Sequence, residues 1–230
     1  MLSKLDYVLD LGGSIVNPGT LNEGFLLGFQ TLIKEYIALG KTFGIIVGGG
    51  AIARQYQEFL RTHFETAGED LDRVGVRATK LNNELVRIIL KKFAYPKLLE
   101  KPNEILSQAG EYKVLVFSGW KTGWSTDYIA VLIAKRFGVG EILSLSNIKG
   151  VYAFKDGKPQ EDQLIPQLSW QEYEAMIASE WTPGMKVPFD PVATKQAKDD
   201  KLTVFILDGR DQANVKQCLN GQPFVGTTIS

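Results

Sequence analysis

Residues 113–137 read KVLVFSGWKTGWSTDYIAVLIAKRF, and the order of side chains in this stretch decides the fold. Residues 113–117 form a short apolar run suited to a buried strand, residues 118–124 cannot continue it, and Ser125 or Thr126 can cap the helix whose apolar positions follow. A helix starting there turns free N–H groups and a positive dipole end towards the loop, a favourable place for an anionic phosphate. Gly119 and Gly123 admit close backbone approach, Lys121 adds a cation, and Asp127 falls in the first helical turn, where it can orient lysines or a metal-bound nucleotide. Taken alone, the stretch is equally an ordinary strand-to-helix connection with a good cap. Further junctions of the same kind favour the ligand reading.

Residues 7–11, YVLDL, read as a buried strand that ends in Gly12, Gly13 and Ser14, a first candidate phosphate loop. From Thr20 or Asn22 a helix carries Phe25, Phe29, Leu32, Ile33 and Tyr36 on one face and stops at Gly40. Residues 43–47, FGIIV, form a second strand running into Gly48, Gly49 and Gly50 before the helix AIARQYQEFL. Three successive glycines are costly to order, so close approach to a ligand explains them better than a turn alone. Residues 70–92 place Val74, Leu81, Leu85 and Ile88 at roughly helical spacing, with Asp72 at the beginning; a strand-like YPKLL and a short helix over 103–108 follow.

After Gly138, EILSLS is another strand, running into a fourth candidate loop that holds Asn147, Lys149, Gly150 and Tyr152. Ser169 and Glu172 form a capping box, with Leu168 and Tyr173 able to staple the helix WQEYEAMIA. Asp190 and Pro191 suit the cap and first position of a further helix, residues 202–207 a strand, Asp211 the start of a last helix, and residues 226–229 a closing strand. Strands alternating with helices, and glycine loops at several strand ends, predict an α/β fold: a three-layer αβα sandwich around a mainly parallel sheet, in a single domain over residues 1–230. Ligands bind at the carboxyl edge of such sheets. Neither GxGxxG nor GxxxxGK[ST] occurs, so the usual dinucleotide fingerprint and the P-loop are both absent.

Composition narrows the classes. A chain of 230 residues with 44% hydrophobic content can build a full core. Lys plus Arg and Asp plus Glu both number 26, so no overall basic field favours nucleic acid or an anionic membrane. The single Cys218 excludes an internal disulfide, and His63 is alone, so a histidine metal site is not expected. MLSKLDYVLDLGG enters a strand pattern at once, and no run reaches the ~20 apolar residues of a membrane span, so the expectation is a cytoplasmic protein.

Read together and in order, VLDLGGS, IIVGGGAIAR, SGWKTGWSTD, SNIKGVY, FDPVATK and GTTI resemble the amino acid kinase superfamily. Within it the chain resembles the UMP kinases, most closely those of archaeal type, over nearly its whole length. The resemblance implies transfer of the ATP γ-phosphoryl group to UMP in pyrimidine nucleotide biosynthesis, with Mg²⁺ bridging the ATP oxygens, no metal ligand from the protein, and a homo-oligomer, hexameric in related enzymes. It implies ATP contacts from Asp10, Gly12, Gly13, Ser14, Gly50, Arg54, Ser146, Asn147 and Tyr152. Gly49 corresponds to a UMP contact and Asp72 to the residue holding the UMP ribose, while the loop Gly119, Trp120, Lys121, Thr122, Gly123, Trp124, Ser125 and Thr126 would wrap the acceptor. Asp127 matches the aspartate that organises the catalytic charges, with Lys121 and Lys186 as candidates for transition-state positive charge. Three positions depart from the family pattern: SGWKTG replaces GGTxPG, Lys149 stands where an acid is usual, and Asp10 replaces the first-strand lysine of bacterial members. A kinase acting on another small phosphate or carboxylate, or a nucleotide-binding subunit without turnover, is the alternative. An isopentenyl phosphate kinase would place a histidine near the triple glycine, and AIARQY has none.

Overall fold

The computed structural model describes residues 4–101, 109–155, 158–177, 180, 185 and 187–230. In chain order these form β1 (Tyr7–Leu11), α1 (Gly13–Val16), α2 (Glu23–Ala38), β2 (Phe43–Val47), α3 (Gly50–His63), α4 (Gly68–Ile89), β3 (Val114–Val116), α5 (Thr126–Phe137) and β4 (Glu141–Ser146). They continue with β5 (Tyr152–Lys155), β6 (Lys158–Leu164), β7 (Gln167–Leu168), α6 (Trp170–Met176), α7 (Pro191–Asp199), β8 (Thr203–Asp208), α8 (Gln212–Leu219) and β9 (Thr227–Ile229). The main sheet has the order β3-β2-β1-β4-β8-β9-β7 and is parallel from β3 to β8, with β9 antiparallel to β8.

Successive residues of a strand point to opposite faces, and here each face has its own core. Val8, Ile46, Leu115, Ile142 and Val204 pack with Ile129 and Ile133 of α5 and Ala193 of α7. Their neighbours Leu9, Ile45, Val47 and Leu143 pack on the other side with Phe25 and Phe29 of α2, Val86 of α4 and Val215 of α8. This two-sided burial makes the three-layer sandwich and explains why the central strands are apolar throughout rather than alternating.

Local chemistry sets the boundaries. Asn22, Ser125, Ser169, Asp190 and Asp211 each accept a main-chain N–H in the first turn of the following helix, and Ser169 with Glu172 completes the capping box. Gly138 ends α5 in the left-handed region, at φ 65°.

Several expectations change. The helix over 70–92 begins at Gly68 and ends at Ile89, so Asp72 lies one turn inside it. YPKLL is no strand: only Ala94 and Leu99 bridge to β3's neighbourhood. The helix WQEYEAMIA closes at Met176, the hairpin β5–β6 and the short β7 had no sequence reading, and the helix expected over 103–108 lies outside the described residues.

Asn83, fully buried on α4, accepts from the Val47 N–H and donates to the Val47 and Thr79 carbonyls, each within 2.8 Å. It therefore fixes the end of β2 against α4. Removing it strands two buried main-chain groups at roughly 1–3 kcal/mol each, so Asn83→Ala should lower unfolding stability by at least about 2 kcal/mol, read as a reduced urea midpoint with an unchanged slope.

Candidate active site

At the carboxyl edge, the ends of β1, β2, β3 and β4 release the stretches 12–14, 48–50, 118–125 and 146–150. These stretches hold one another. The Gly12 N–H donates to Leu145 O at 2.7 Å, the Gly48 N–H to Leu11 O at 2.8 Å, and the Ser14 hydroxyl to Asn147 Oδ1 at 3.2 Å. The first stretch is not an open loop: Gly13 begins the single turn α1, which closes at Asn17, whose carbonyl accepts the Ala51 N–H at 3.0 Å.

The first two glycine junctions meet backbone to backbone. A Cβ on Gly13 would lie 2.1 Å from the Gly50 nitrogen and 2.4 Å from the Gly48 oxygen, while one on Gly50, at φ +63°, would lie 2.4 Å from the Gly13 oxygen. Glycine is required here by the neighbouring chain itself. A bulky side chain at Gly13, as in Gly13→Val, must therefore force β1 and β2 apart at their ends. From below, Asn82 Nδ2 donates to Gly48 O at 2.8 Å. Gly49 packs over Ala53 and Ala78, and Arg54 is exposed one turn along α3.

The third stretch rests on α4. The Gly123 N–H donates to Asp72 Oδ2, and a Cβ on Gly119 would lie 2.3 Å from Thr79 Oγ1. Asp72 is thus a buried carboxylate already engaged with the loop; burial raises its pKa and the Gly123 hydrogen bond opposes the rise. Trp120 and Trp124 both precede the Ser125 cap, as the sequence suggests, but they do not project freely. Trp124 makes edge contacts with Trp120 at 4.8 Å and Tyr128 at 4.9 Å, Lys121 Nζ lies 5.6 Å from its centroid, and both indoles pack against the core. Trp124 is a packing residue; Trp120 also lines a groove beside α4. Lys186 lies outside the described residues.

Beneath the loops three aspartates meet. Asp10 is buried, and neither of its oxygens has a hydrogen-bond partner. Burial pushes its carboxyl up to about 6; the Asp190 charge adds to this, while nearby Asp127 and Thr126 oppose it without reaching hydrogen-bonding geometry. Asp127, partly exposed at the start of α5, accepts the Asp190 N–H at 2.8 Å and is held well above the usual carboxylate range by desolvation first, then by the Asp10 and Asp190 charges. Asp190 accepts from Val192 and Ala193 N–H and from the Ser125 hydroxyl, and desolvation raises it too. A hydroxyl capping α5 and a carboxylate capping α7 are therefore bonded to each other. Sequence reading took Asp190 only as a helix cap. It also passed over Asn82, visible only as a polar residue on an inward helix face, and Arg210, which pairs with Asp208 and donates to Asn147 O at 3.1 Å. Among the described residues no group of three acidic, histidine or cysteine side chains is placed to hold a metal ion.

The profile of the Amino acid kinase family matches residues 7–208. Uridylate kinase of Hyperthermus butylicus is 28% identical over 221 residues, covering 96% of each chain. That of Pyrobaculum neutrophilum is 30% identical over 216 residues, covering 94% of this chain and 95% of its own. The crystal structure of uridylate kinase from Archaeoglobus fulgidus superposes with a TM-score of 0.81 at 27% identity, covering 98% of this chain and 100% of that one.

The aspartate cluster has a pH signature. Burial pushes the Asp10 carboxyl up to about 6 from the ordinary 3.8, within a set of aspartates that titrates together, so the folded form binds a proton more tightly than the unfolded chain. Its favourable contribution is complete below about pH 4 and is lost as pH rises through about 6. Asp10→Asn should flatten this fall, gaining up to ~3 kcal/mol relative to the parent at neutral pH, measured as thermal midpoints across that window. Parallel curves for the two proteins would refute the assignment.

Proposed function

The chain belongs to the amino acid kinase family, and from this we propose that it is an ATP-dependent UMP kinase that transfers the γ-phosphoryl group of ATP to the phosphate of UMP. An oxygen of the UMP phosphate forms the new bond to the γ-phosphorus, the bond from γ-phosphorus to the β–γ bridging oxygen breaks, and ADP leaves with UDP as the second product. The attacking phosphate is largely dianionic at neutral pH, its second pKa being about 6, so no general base is needed. The work is alignment and charge management.

The observation that carries this reading is the position of Asp127. It starts the helix behind the 118–125 loop, lies beside Asp10 of β1, and accepts a hydrogen bond from the Asp190 N–H. It thus stands between the loop assigned to UMP and the junctions assigned to ATP. In this reading Gly12, Gly13, Ser14 and Gly50 face the donor phosphates, with Arg54 beyond them and Ser146, Asn147 and Tyr152 beside the adenosine. Gly49, Asp72 and the loop from Gly119 to Thr126 hold the acceptor, with Trp124 of that loop packing its base rather than touching the ligand. Asp72 trades its bond to Gly123 for the ribose hydroxyls, which opens the loop to UMP. Lys121, drawn off the Trp124 ring, supplies positive charge together with Lys186. Mg²⁺, when bound with ATP, would neutralise part of the charge on the donor phosphates. Asp127 holds the geometry of these charges and binds neither nucleotide tightly by itself.

We further propose a cytoplasmic homo-oligomer serving pyrimidine nucleotide biosynthesis, in keeping with the buried free Cys218 and with Tyr56, Phe59 and Phe64 exposed on and just after α3. Among the described residues no helix is long and apolar enough to cross a membrane.

ADP release measured over a panel of UMP, CMP, dUMP and AMP should be fastest with UMP. Asp127→Asn should lose at least about tenfold in turnover, ~1.4 kcal/mol of barrier, with little change in the Michaelis constant for UMP. Near-normal turnover would leave Asp127 as a helix-start carboxylate and nothing more.

A further inference from the structure

Tyr173 of α6 is fully buried, and by residue type and spacing it is a staple residue opposite Leu168 and nothing more. Its hydroxyl does more than pack. It donates to the Phe189 carbonyl at 2.8 Å and accepts the Phe189 N–H at 2.8 Å, so one side chain holds both main-chain groups of one residue. Residues 187–189 lie in neither helix nor strand, and this bridge stands in for the partners that a ladder would give.

The consequence lies one bond further along the chain. The Phe189 carbonyl and the Asp190 N–H belong to the same planar trans peptide unit and point in opposite directions across it. Its oxygen meets Tyr173, and its N–H donates to Asp127 Oδ2 at 2.8 Å. A turn of that unit therefore moves both ends at once, and hydrogen bonds in series strengthen one another in a low-dielectric interior. The Asp190 side chain anchors the same segment, since it caps α7 and receives the hydroxyl of Ser125, the cap of α5. Desolvation raises the pKa of Tyr173 and keeps its hydroxyl protonated, against the opposing effect of the Phe189 N–H. The charges of Asp127 and Asp190 add to the rise, so the phenol lies within electrostatic reach of both carboxylates.

We propose that Tyr173 is a positioning residue for phosphoryl transfer: its hydroxyl orients the 189–190 peptide, and the N–H of that peptide holds Asp127 in the orientation the reaction needs. The inference rests on the function proposed above, in which Asp127 arranges the charges around the transferred group. A phenylalanine at 173 would fill the same space and leave the Phe189 N–H and carbonyl without their partner. The peptide is then free to turn, and Asp127 turns with it. Small displacements at a reacting centre cost rate steeply. Because Tyr173 acts through Asp127 and touches neither nucleotide, its loss lowers turnover and leaves substrate binding alone.

The test uses the full chain. Tyr173→Phe removes only the hydroxyl, and turnover with UMP should fall at least about fivefold while the Michaelis constants for UMP and ATP stay within about twofold. In an Asp127→Asn background the same substitution should cost no further turnover, because the residue it acts through is already altered. Tyr36→Phe is the control. It makes the same chemical change at another buried hydroxyl, which donates to Asn220 Oδ1 at 2.8 Å, and it should lower the thermal midpoint but not turnover. Amide exchange without nucleotides should show the Asp190 N–H protected in the parent and at least about fivefold faster in Tyr173→Phe, relative to the amides of β1. Unchanged turnover, the same fractional loss in both backgrounds, or an equal loss in Tyr36→Phe would each overturn the proposal. So would an Asp190 amide that exchanges in the parent as fast as in a free peptide, a result that needs no variant to fold. If the parent forms no UDP with any acceptor, the function proposed above fails, and the exchange of the Asp190 amide still decides whether Tyr173 sets that peptide.

Discussion

The contact on which the rest depends is that between Gly13 and the Gly48–Gly50 segment. β1 and β2 pair in register from Tyr7 opposite Phe43 to Leu11 opposite Val47, so their ends emerge side by side. The two turns that follow then interlock, at separations that leave no room for a Cβ on Gly13 or Gly50. This closeness brings the two junctions together backbone to backbone at the carboxyl edge of the sheet. The packing is held from outside the loops, by Asn82 and Asn83 of α4 and by the Asn17 carbonyl. Side chains thus hold in place a junction made of backbone.

Below that surface the aspartates create a standing electrostatic tension. Desolvation and mutual repulsion both favour keeping a proton among Asp10, Asp127 and Asp190, and a tightly interacting set titrates as a unit rather than residue by residue. The hydrogen bonds from Ser125 and from the Asp190, Val192 and Ala193 amides are all made to Asp127 or Asp190. Asp10 receives none. Cations brought by a nucleotide complex would relieve the repulsion, so the site is better suited to its occupied state than to its empty one.

The strands and most helix boundaries were legible because they follow from short-range rules: two-sided apolar runs, side-chain caps and a left-handed glycine. Residues 7–11 and 43–47 matched β1 and β2 to the residue, the caps at Ser169 and Asp190 followed from residue type and spacing, and of the two candidates Ser125 and Thr126 the structure takes Ser125. The hairpin β5–β6 was missed because KPQEDQL carries no apolar alternation. YPKLL was overread because an apolar run can cross a sheet edge with only single bridges. The glycine and loop positions of the site were visible in the sequence, but their reasons were not. Gly13 looked like an opening for a ligand and is also a necessity of chain packing. Asp190 looked like a cap and is also the link between two helix starts. Both second roles depend on residues distant in sequence, which no local pattern carries.

One helix joins these features. Asn82 and Asn83 of α4 hold the end of β2 and the triple glycine, and Thr79 and Asp72 receive the 118–125 loop. Asp72 near the start of the helix and Asn83 two turns before its end are both buried, so α4 cannot rotate about its axis without breaking contacts at both. Any displacement of the 118–125 loop against the helix therefore acts on the Asp72–Gly123 hydrogen bond, which links a buried carboxylate whose ionisation is disfavoured to a glycine at φ +81° on an exposed turn.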